Sequence, residues 1–371
     1  MTYKEALFFI GKCLSLGHCP ERTEEVRKVI LSGSVVWEQV VWVSTDQIVF
    51  SALYVQLRQA GLLQELPTDL VEYMEEFTSL NRERNHQLIE QAYEITELLN
   101  QHGIIPIFLK GVGHLLDGLY DDIGERQVGD IDILVVEYDL VRAAEILILK
   151  GYVPIVKFDP NSLKINRHYP RLINNDKMAA VELHRQVFIS SFFKTMDIEL
   201  FFKTVRMLNM PCKAAVLSDF HQIVLNILNV QVNDKGHYYG KVFFRQIYDL
   251  LLLSGRESPL DAVKAYGVSF HRMNVNLALA DQLLGHPGSL SFQSNWRTKL
   301  FLWRVYYKID HSGWSHFSNG FLYLLFRFGN SVNYIFRAIY DRNIRRSIFN
   351  RIGNPKWYLD HLKSYKSKDS R

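Results

Sequence analysis

The sequence predicts an α+β fold, in which a small mixed sheet is flanked by helical regions on both sides. Three observations support this prediction. The first hundred residues place apolar side chains at helical spacing, residues 104–190 alternate short strands with helices, and the remainder returns mostly to helical spacing. We therefore divide the chain into a helical N-terminal region (1–103), a sheet-bearing core (104–190) and a helical C-terminal region (191–371) that is basic at its end.

The N-terminal region is expected to contain helices at residues 3–16, 23–31, 35–43, 46–60 and 68–100. The last of these has the clearest pattern, because Leu88, Ala92, Ile95 and Leu99 recur at spacings of three and four residues and form one apolar stripe. Gly103 follows as a C-cap, a position where glycine is favoured. This helix therefore leads the chain into the first strand.

In the rest of the chain the spacing of apolar residues changes twice, first to that of short strands and then back to that of helices. In the core we expect strands near 104–109, 130–136, 152–157, 168–173 and 179–184, with helices at 112–119 and 138–150. Beyond residue 190 we expect helices at 219–230, 243–253, 259–266 and 271–284, followed by aromatic-rich segments. A mixed sheet between two helical regions follows from this order.

The composition is typical of a globular protein. With 371 residues, 48% hydrophobic and 22% charged, the chain is long enough for one large or two ordinary domains. Three cysteines without paired spacing exclude a disulfide framework and argue against a structural zinc site. No apolar stretch approaches the roughly 18 residues that span a bilayer. We therefore expect a cytoplasmic protein with reduced thiols and no stable membrane insertion.

Two aspartates mark the start of the second strand. Asp130 and Asp132 are two residues apart, so strand alternation puts both carboxylates on one face while Ile131 points into the core. The turn that ends at Gly129 places the pair at the end of the sheet, where a ligand can reach it. Taken alone, such a pair is equally typical of a solvated strand edge.

A third carboxylate on a later strand favours a functional site. Alternation puts Glu182 and His184 on one face of that strand, and Glu182 can converge with the two aspartates. Three carboxylates suit two Mg²⁺ ions about 4 Å apart, and clustering them without a cation would be repulsive. His168 and His184 flank this strand, where each either contacts the substrate or orients Glu182, or is a core histidine satisfied by a hydrogen bond.

Basic and glycine residues near the acids are candidates for holding an anion. Lys110 ends the first strand, and Gly111 and Gly113 begin the next helix, where unpaired N–H groups favour phosphate, although a plain turn would also explain them. Arg126, four residues before Asp130, would add a charge-assisted contact or instead pair with a neighbouring acid. The neighbouring acids are Asp122 and Glu125.

The order of these pieces resembles a known family, the uncharacterised bacterial nucleotidyltransferases of the polymerase beta superfamily. The resemblance covers about residues 37–187 and is carried by Lys110, Gly111, Leu115, Tyr120, Arg126, Asp130, Asp132, Gly151, Tyr152, His168, Val181, Glu182, Leu183 and His184. It implies a nucleotidyltransferase core that binds an NTP through its triphosphate and transfers a nucleoside monophosphate to an acceptor hydroxyl, releasing pyrophosphate. The chain has Lys110 and Gly111 where the superfamily usually has Gly-Ser or Gly-Gly, which leaves the triphosphate contacts open.

The resemblance and the residues together give an expected mechanism. Asp130 and Asp132 would bridge two Mg²⁺ ions, or Mn²⁺ in their place, and Glu182 would complete the second metal site and take the acceptor proton. The phosphates would be neutralised by Lys110, Gly111, Gly113 and Arg126. The acceptor would be a small molecule, a natural-product or sugar precursor, or a protein side chain. The alternative is a catalytically silent nucleotide-binding sensor or scaffold that acts through its helical flanks; the three acids favour the enzyme.

The C-terminal end carries the basic charge of the chain. Residues 320–371 contain 11 Lys or Arg against 3 Asp or Glu, so the preceding part is net negative. Aromatics alternate with arginines between residues 317 and 351, which would suit an anionic membrane surface, nucleic acid or an acidic protein. A helical domain with buried aromatics explains the same pattern. The charge weakly favours an anionic acceptor.

Overall fold

A seven-stranded mixed sheet forms the centre of the fold, in a computed structural model that describes residues 1–158, 166–188, 198–340 and 345. The strands are β1 (Ile107–Leu109), β2 (Asp130–Leu134), β3 (Val153–Pro154), β4 (Leu172–Ile173), β5 (Ala180–His184), β6 (Val205–Met207) and β7 (Ala215–Leu217). Their order across the sheet is β3-β4-β5-β2-β1-β7-β6. With helices before and after this sheet, the predicted α+β class is confirmed.

Helices occupy most of the remaining described chain. They are α1 (Tyr3–Leu14), α2 (Thr23–Leu31), α3 (Trp37–Asp46), α4 (Phe50–Gln59), α5 (Thr68–Asn100), α6 (Lys110–Leu116), α7 (Leu140–Leu149), α8 (Ile198–Lys203), α9 (Asp219–Leu228), α10 (Gly236–Tyr239), α11 (Phe244–Ser254), α12 (Pro259–Tyr266), α13 (Phe270–Leu283), α14 (Trp296–Asp310) and α15 (Ser312–Tyr340). A π-helical turn, Asn229–Asn233, continues α9. The chain divides into two compact units, Met1–His311 and Ser312–Arg371, and the sheet belongs to the first.

The central strands are paired in a register that brings the acids together. β2 runs parallel to β5, with Asp132 beside Glu182, and antiparallel to β1, with Leu109 beside Asp132. β1 in turn runs parallel to β7. The alternate residues of β2 and β5, such as Ile131 and Val181, are fully buried, so burial of one face fixes the acids on the other.

Helix α5 supports the turn that precedes the acids. Its predicted apolar stripe is buried, and Gly103 beyond its end adopts a positive φ of 76°. Asn81 on α5 donates to the Gly124 carbonyl, and Asn85 donates to the Ile123 and Arg126 carbonyls at 2.6 and 2.7 Å. These buried side-chain amides fix the backbone of residues 123–126 against the helix and so position the chain that enters β2.

Several predicted elements are shorter than expected. The predicted strand 104–109 is reduced to the three residues of β1, and the predicted strand 152–157 to the two residues of β3. The predicted strand 168–173 is reduced to a bridge between His168 and His184 and the two-residue β4, because Pro170 between them has no N–H to donate to a ladder. The predicted helix 46–60 begins only at Phe50, since Ile48 adopts a left-handed φ of 57° that separates α4 from α3.

Strands β6 and β7 were not predicted. Both lie beyond residue 190, in the stretch expected to be mostly helical, so the sheet draws on residues from both sides of that boundary. The three-region division of the chain stays a prediction. Of the aromatic and basic segment 317–351, the part up to Tyr340 belongs to α15, whose Phe321 and Phe328 are exposed rather than packed inward. Residues 341–344 and 346–351 lie outside the described residues.

Candidate active site

Three carboxylates line one pocket at the end of the sheet. Asp130 and Asp132 project from β2, and Glu182 projects from the parallel strand β5, directly beside Asp132. The pocket has a volume of about 340 Å³. It therefore brings together the three acids that the sequence analysis singled out.

Four other parts of the fold complete this pocket. They are the junction of β1 and α6, the end of β7, the helix α9 with its π-helical turn, and α11. The polar residues that they contribute are Lys110, Gly111, Gly113, His114, Gln222, Asn226, Asn229, Asp234, Arg245, Gln246 and Asp249. Because β1 and β7 are parallel neighbours, both of their carboxyl ends open onto the pocket.

The side chain of His184 contacts two of the acids, Asp132 and Glu182. Its Nε2 lies 2.7 Å from Asp132 Oδ1 and 3.5 Å from Glu182 Oε2, and its side chain is buried. Ligand atoms of these three residues all lie within 4.8 Å of one another, a spacing at which one cation can be held. His168 is placed against His184, with ring centroids 5.4 Å apart, and its Nδ1 lies 2.8 Å from the Tyr169 carbonyl.

The charges in the pocket shift the pKa values of the acids in opposite directions. Burial raises the pKa of Asp130, and repulsion from Asp132 and Glu182 raises it further. Burial alone would raise the pKa of Asp132, but the Lys110 ammonium and the His184 hydrogen bond lower it below its usual range. The hydrogen bond from His184 is also the main cause of the lowered pKa of Glu182. Of the three acids, Asp130 is therefore the one whose ionised form is destabilised by burial and by the other two carboxylates.

Lys110 reaches the acids from an unusual backbone conformation. Its Nζ lies 3.4 Å from Asp132 Oδ2, and its φ of 49° falls in the left-handed region that residues other than glycine rarely adopt. Such strain tends to occur at functional sites. Lys110 follows directly on Leu109, the partner of Asp132 in the sheet, so the turn at Lys110 directs the side chain along the face that carries the acids.

The two predicted glycines are required by packing. A Cβ on Gly113 would lie 2.8 Å from the Phe108 carbonyl oxygen, and one on Gly111 would lie 3.0 Å from Val128 Cγ1. Both glycines line the pocket. Gly113 therefore lets α6 pack closely on β1, and Gly111 lets it pack closely on Val128. The proposed contact of both glycines with phosphate stays a prediction.

Arg126 lines the pocket, but its guanidinium forms a buried ion pair with Asp249. Its Nε and Nη2 donate to Asp249 on α11 at 2.9 and 2.8 Å, and its Nη1 donates to the Gln127 carbonyl. Neither neighbouring acid is its partner: Asp122 pairs with Arg58 and Arg82, and Glu125 accepts a hydrogen bond from Tyr248. A phosphate contact by Arg126 would have to use its remaining N–H groups.

Four charged pocket residues were missed by sequence reasoning: Arg167, Asp234, Arg245 and Asp249. Asp234, at the end of the π-helical turn, accepts a hydrogen bond from Asn229 at 3.3 Å and lies within electrostatic range of Lys110 and Arg245. Arg245 is on α11. No local pattern identifies them, because packing between distant parts of the chain brings them to the pocket; the π-helical turn itself is a feature that often occurs at functional sites.

Comparison with known proteins identifies a family for this chain. A family model described as uncharacterised nucleotidyltransferase matches residues 33–280, which include every residue of the pocket. A search of curated proteins found no match. Within the described part of the chain, no helix is long and apolar enough to cross a membrane. Since the family model covers well over half of the chain, the protein belongs to this uncharacterised nucleotidyltransferase family.

Proposed function

We propose that this protein is a Mg²⁺-dependent enzyme that transfers a nucleoside monophosphate from an NTP to an acceptor hydroxyl and releases pyrophosphate. The observation that carries the proposal is the register of β2 and β5, which sets Glu182 beside Asp132 and on the same face as Asp130. Membership of a nucleotidyltransferase family supports the general reaction. The proposed acceptor is a small molecule, a natural-product or sugar precursor, or a protein side chain.

The donor atoms of the pocket fit hard divalent cations. Carboxylate oxygens are the ligands that Mg²⁺ and Mn²⁺ prefer, and Asp130 and Asp132 would hold two ions with Glu182 completing the second site. The repulsion that raises the pKa of Asp130 is of the kind that bound cations relieve. When bound, the two ions would stabilise the attacking and leaving oxygens of an in-line displacement.

The side chains of the pocket then have separate roles. Glu182, whose pKa is lowered, is ionised at neutral pH and would accept the proton of the acceptor hydroxyl. Lys110 would neutralise charge on the phosphates and on the leaving pyrophosphate. His184 holds the carboxylate of Asp132 in place through its 2.7 Å hydrogen bond.

Replacement of single acids tests this proposal. We expect Asp130→Asn and Asp132→Asn to lower Mg²⁺-dependent transfer at least about 100-fold, since loss of outer-shell partners alone costs 10- to 100-fold in metal sites. The assay incubates each labelled NTP with protein, Mg²⁺ or Mn²⁺ and host extract, and measures pyrophosphate release and nucleotide-dependent mass additions. Circular dichroism checks that the variants are folded.

The matched control is Asp176→Asn, the same change at an exposed turn between β4 and β5. It should leave the transfer rate unchanged. Full activity in either acid variant would refute the metal-site assignment. Binding of NTP by the wild-type protein without pyrophosphate release, with any of the nucleotides, would favour the alternative of a nucleotide-binding sensor or scaffold.

A further inference from the structure

Arg245 is a pocket cation whose charge is not matched by an ion pair. Its Nε is buried without a hydrogen-bond partner, and its Nη1 lies 3.5 Å from the Gln127 carbonyl oxygen, at the limit of a hydrogen bond. The acid nearest in sequence, Asp249, lies one helical turn further along α11 and already accepts two hydrogen bonds from Arg126. Among the described residues, Arg245 forms no ion pair with a carboxylate.

The surroundings of Arg245 make this arrangement unfavourable without a further anion. Burial lowers the pKa of its guanidinium, and the positive charge of Arg126 lowers it further. A half-buried guanidinium with unused donors is costly unless it is paired, because desolvation removes the water that would otherwise satisfy it. Asp249, Tyr120 and Asp130 raise the pKa of the same group, and the effect of Asp130 places Arg245 within electrostatic range of the acids on β2.

A second pocket arginine has a similar position. Arg167 lines the pocket, and its Nη1 donates to the Val187 carbonyl at 3.3 Å. Lys110, by contrast, is already paired with Asp132. Among the described residues, the two arginines therefore have donors without a carboxylate partner on the pocket wall, whereas Lys110 lies 3.4 Å from Asp132 and Arg126 donates two hydrogen bonds to Asp249.

We propose that Arg245 binds the terminal phosphates of a nucleoside triphosphate and that the triphosphate subsite lies against α11. This inference rests on the proposed function and names the residue that the triphosphate contacts. Arg126 then has a different role, because its buried pair with Asp249 holds α11 next to β2, so that Arg245, one turn before Asp249, faces the pocket. Guanidinium groups suit phosphate binding because their planar donors match two phosphate oxygens at once.

Binding measurements on Arg245→Gln test the inference. The probes are a non-hydrolysable NTP and inorganic tripolyphosphate, each titrated calorimetrically in Mg²⁺ with wild-type protein and variant. We expect both dissociation constants to rise about 10- to 100-fold, the range for loss of a hydrogen bond to a charged group. Arg245→Lys, which keeps the charge but not the planar fork, should recover part of the loss.

Arg142→Gln is the matched control. It removes an arginine from α7 whose side chain is 56% exposed and lies 3.8 Å from Asp139, outside the pocket, so both affinities should stay at the wild-type value. Equal tripolyphosphate affinity in wild-type protein and Arg245→Gln, or no tripolyphosphate binding by either, overturns the inference. Binding of tripolyphosphate that depends on Arg245, without nucleotide transfer, would refute the proposed function and leave the anion subsite standing.

Discussion

At the scale of single residues, Lys110 combines backbone strain with a central position in the pocket. A left-handed backbone costs a non-glycine residue on the order of 1–2 kcal/mol, and glycine avoids most of that cost. The fold accepts this strain at a lysine that contacts Asp132. We infer that a lysine occupies this position because of its charge, although its backbone conformation there is unfavourable.

Comparison of Lys110→Gly with Lys110→Ala separates these two properties. Both variants lose the ammonium group, so both should bind the non-hydrolysable NTP more weakly than wild-type protein. The glycine variant should be more stable than the alanine variant by about 1 kcal/mol, because only alanine keeps the strain. Urea denaturation measures this difference. Equal stability of the two variants would contradict the strain, and unchanged NTP affinity would contradict the role of the charge.

The candidate site could be predicted from the sequence only where its signal is local. Asp130 and Asp132 are found by their two-residue spacing, and Glu182 by the same alternation on another strand. Arg126 shows the limit of this reasoning, since its partner Asp249 is 123 residues away in sequence. Asp234 was missed for the same physical reason: the packing of helices, which no short window of sequence encodes, brings it to the pocket.

At the scale of elements, a buried cluster around Asp249 joins α11 to the segment before β2. Asp249 accepts hydrogen bonds from Tyr120 and Arg126, and its Oδ2 lies 3.7 Å from His114 Nδ1. All four side chains are buried. Since β2 carries two of the acids and α11 carries Arg245, this cluster fixes the two walls of the pocket relative to each other.

Removal of the central acid should destabilise the protein strongly. In Asp249→Asn, the guanidinium of Arg126 stays buried without a compensating charge. We expect the free energy of unfolding to fall by about 3–5 kcal/mol, the range for a broken buried ion pair. Tyr120→Phe deletes one hydrogen bond to the same carboxylate and should lower the free energy of unfolding by about 1.5–3 kcal/mol, the range for a hydrogen bond to a charged group. Chemical denaturation followed by circular dichroism measures both. If Asp249→Asn lowered the free energy of unfolding by no more than Tyr120→Phe does, the ion pair would not be what holds the elements together.

The elements themselves were predictable in proportion to their length. The helix α5 and the strands β2 and β5 have enough residues to show their period, and all three were expected close to where they lie. The strands β6 and β7 have three residues each, too few for alternation to appear. The place of β7 in the sheet is set by pairing with β1, about a hundred positions away in the sequence, and β6 pairs in turn with β7.

At the scale of the whole molecule, a buried carboxyl couples folding to pH. Glu125 is 4% exposed, and burial raises its pKa from 4.5 to about 7 even though Tyr248 donates a hydrogen bond to it. The folded state therefore holds this proton more tightly than the unfolded state. The contribution of protonated Glu125 to the free energy of unfolding is complete below the unfolded pKa near 4.5. It is lost as the pH rises from there through the folded pKa of about 7.

Glu125→Gln should remove this pH dependence. At pH 5 the variant and the wild-type protein should have similar free energies of unfolding, whereas at pH 8 the variant should be more stable by up to about 3 kcal/mol. Urea denaturation at both pH values gives the difference between the two proteins, in which the contributions of other titrating groups cancel. A difference that is the same at pH 5 and pH 8 would show that Glu125 does not titrate in this range.

The position of β7 also affects how the protein emerges from the ribosome. β1 lies inside the sheet between β2 and β7, and the Ala215 N–H of β7 donates to the Pro106 carbonyl. The edge of β1 that pairs with β7 therefore stays unpaired until the nascent chain has grown by roughly a hundred more residues. At typical rates of translation this takes on the order of ten seconds. During that interval an apolar strand edge stays open, and a chaperone that shields strand edges would find its target there.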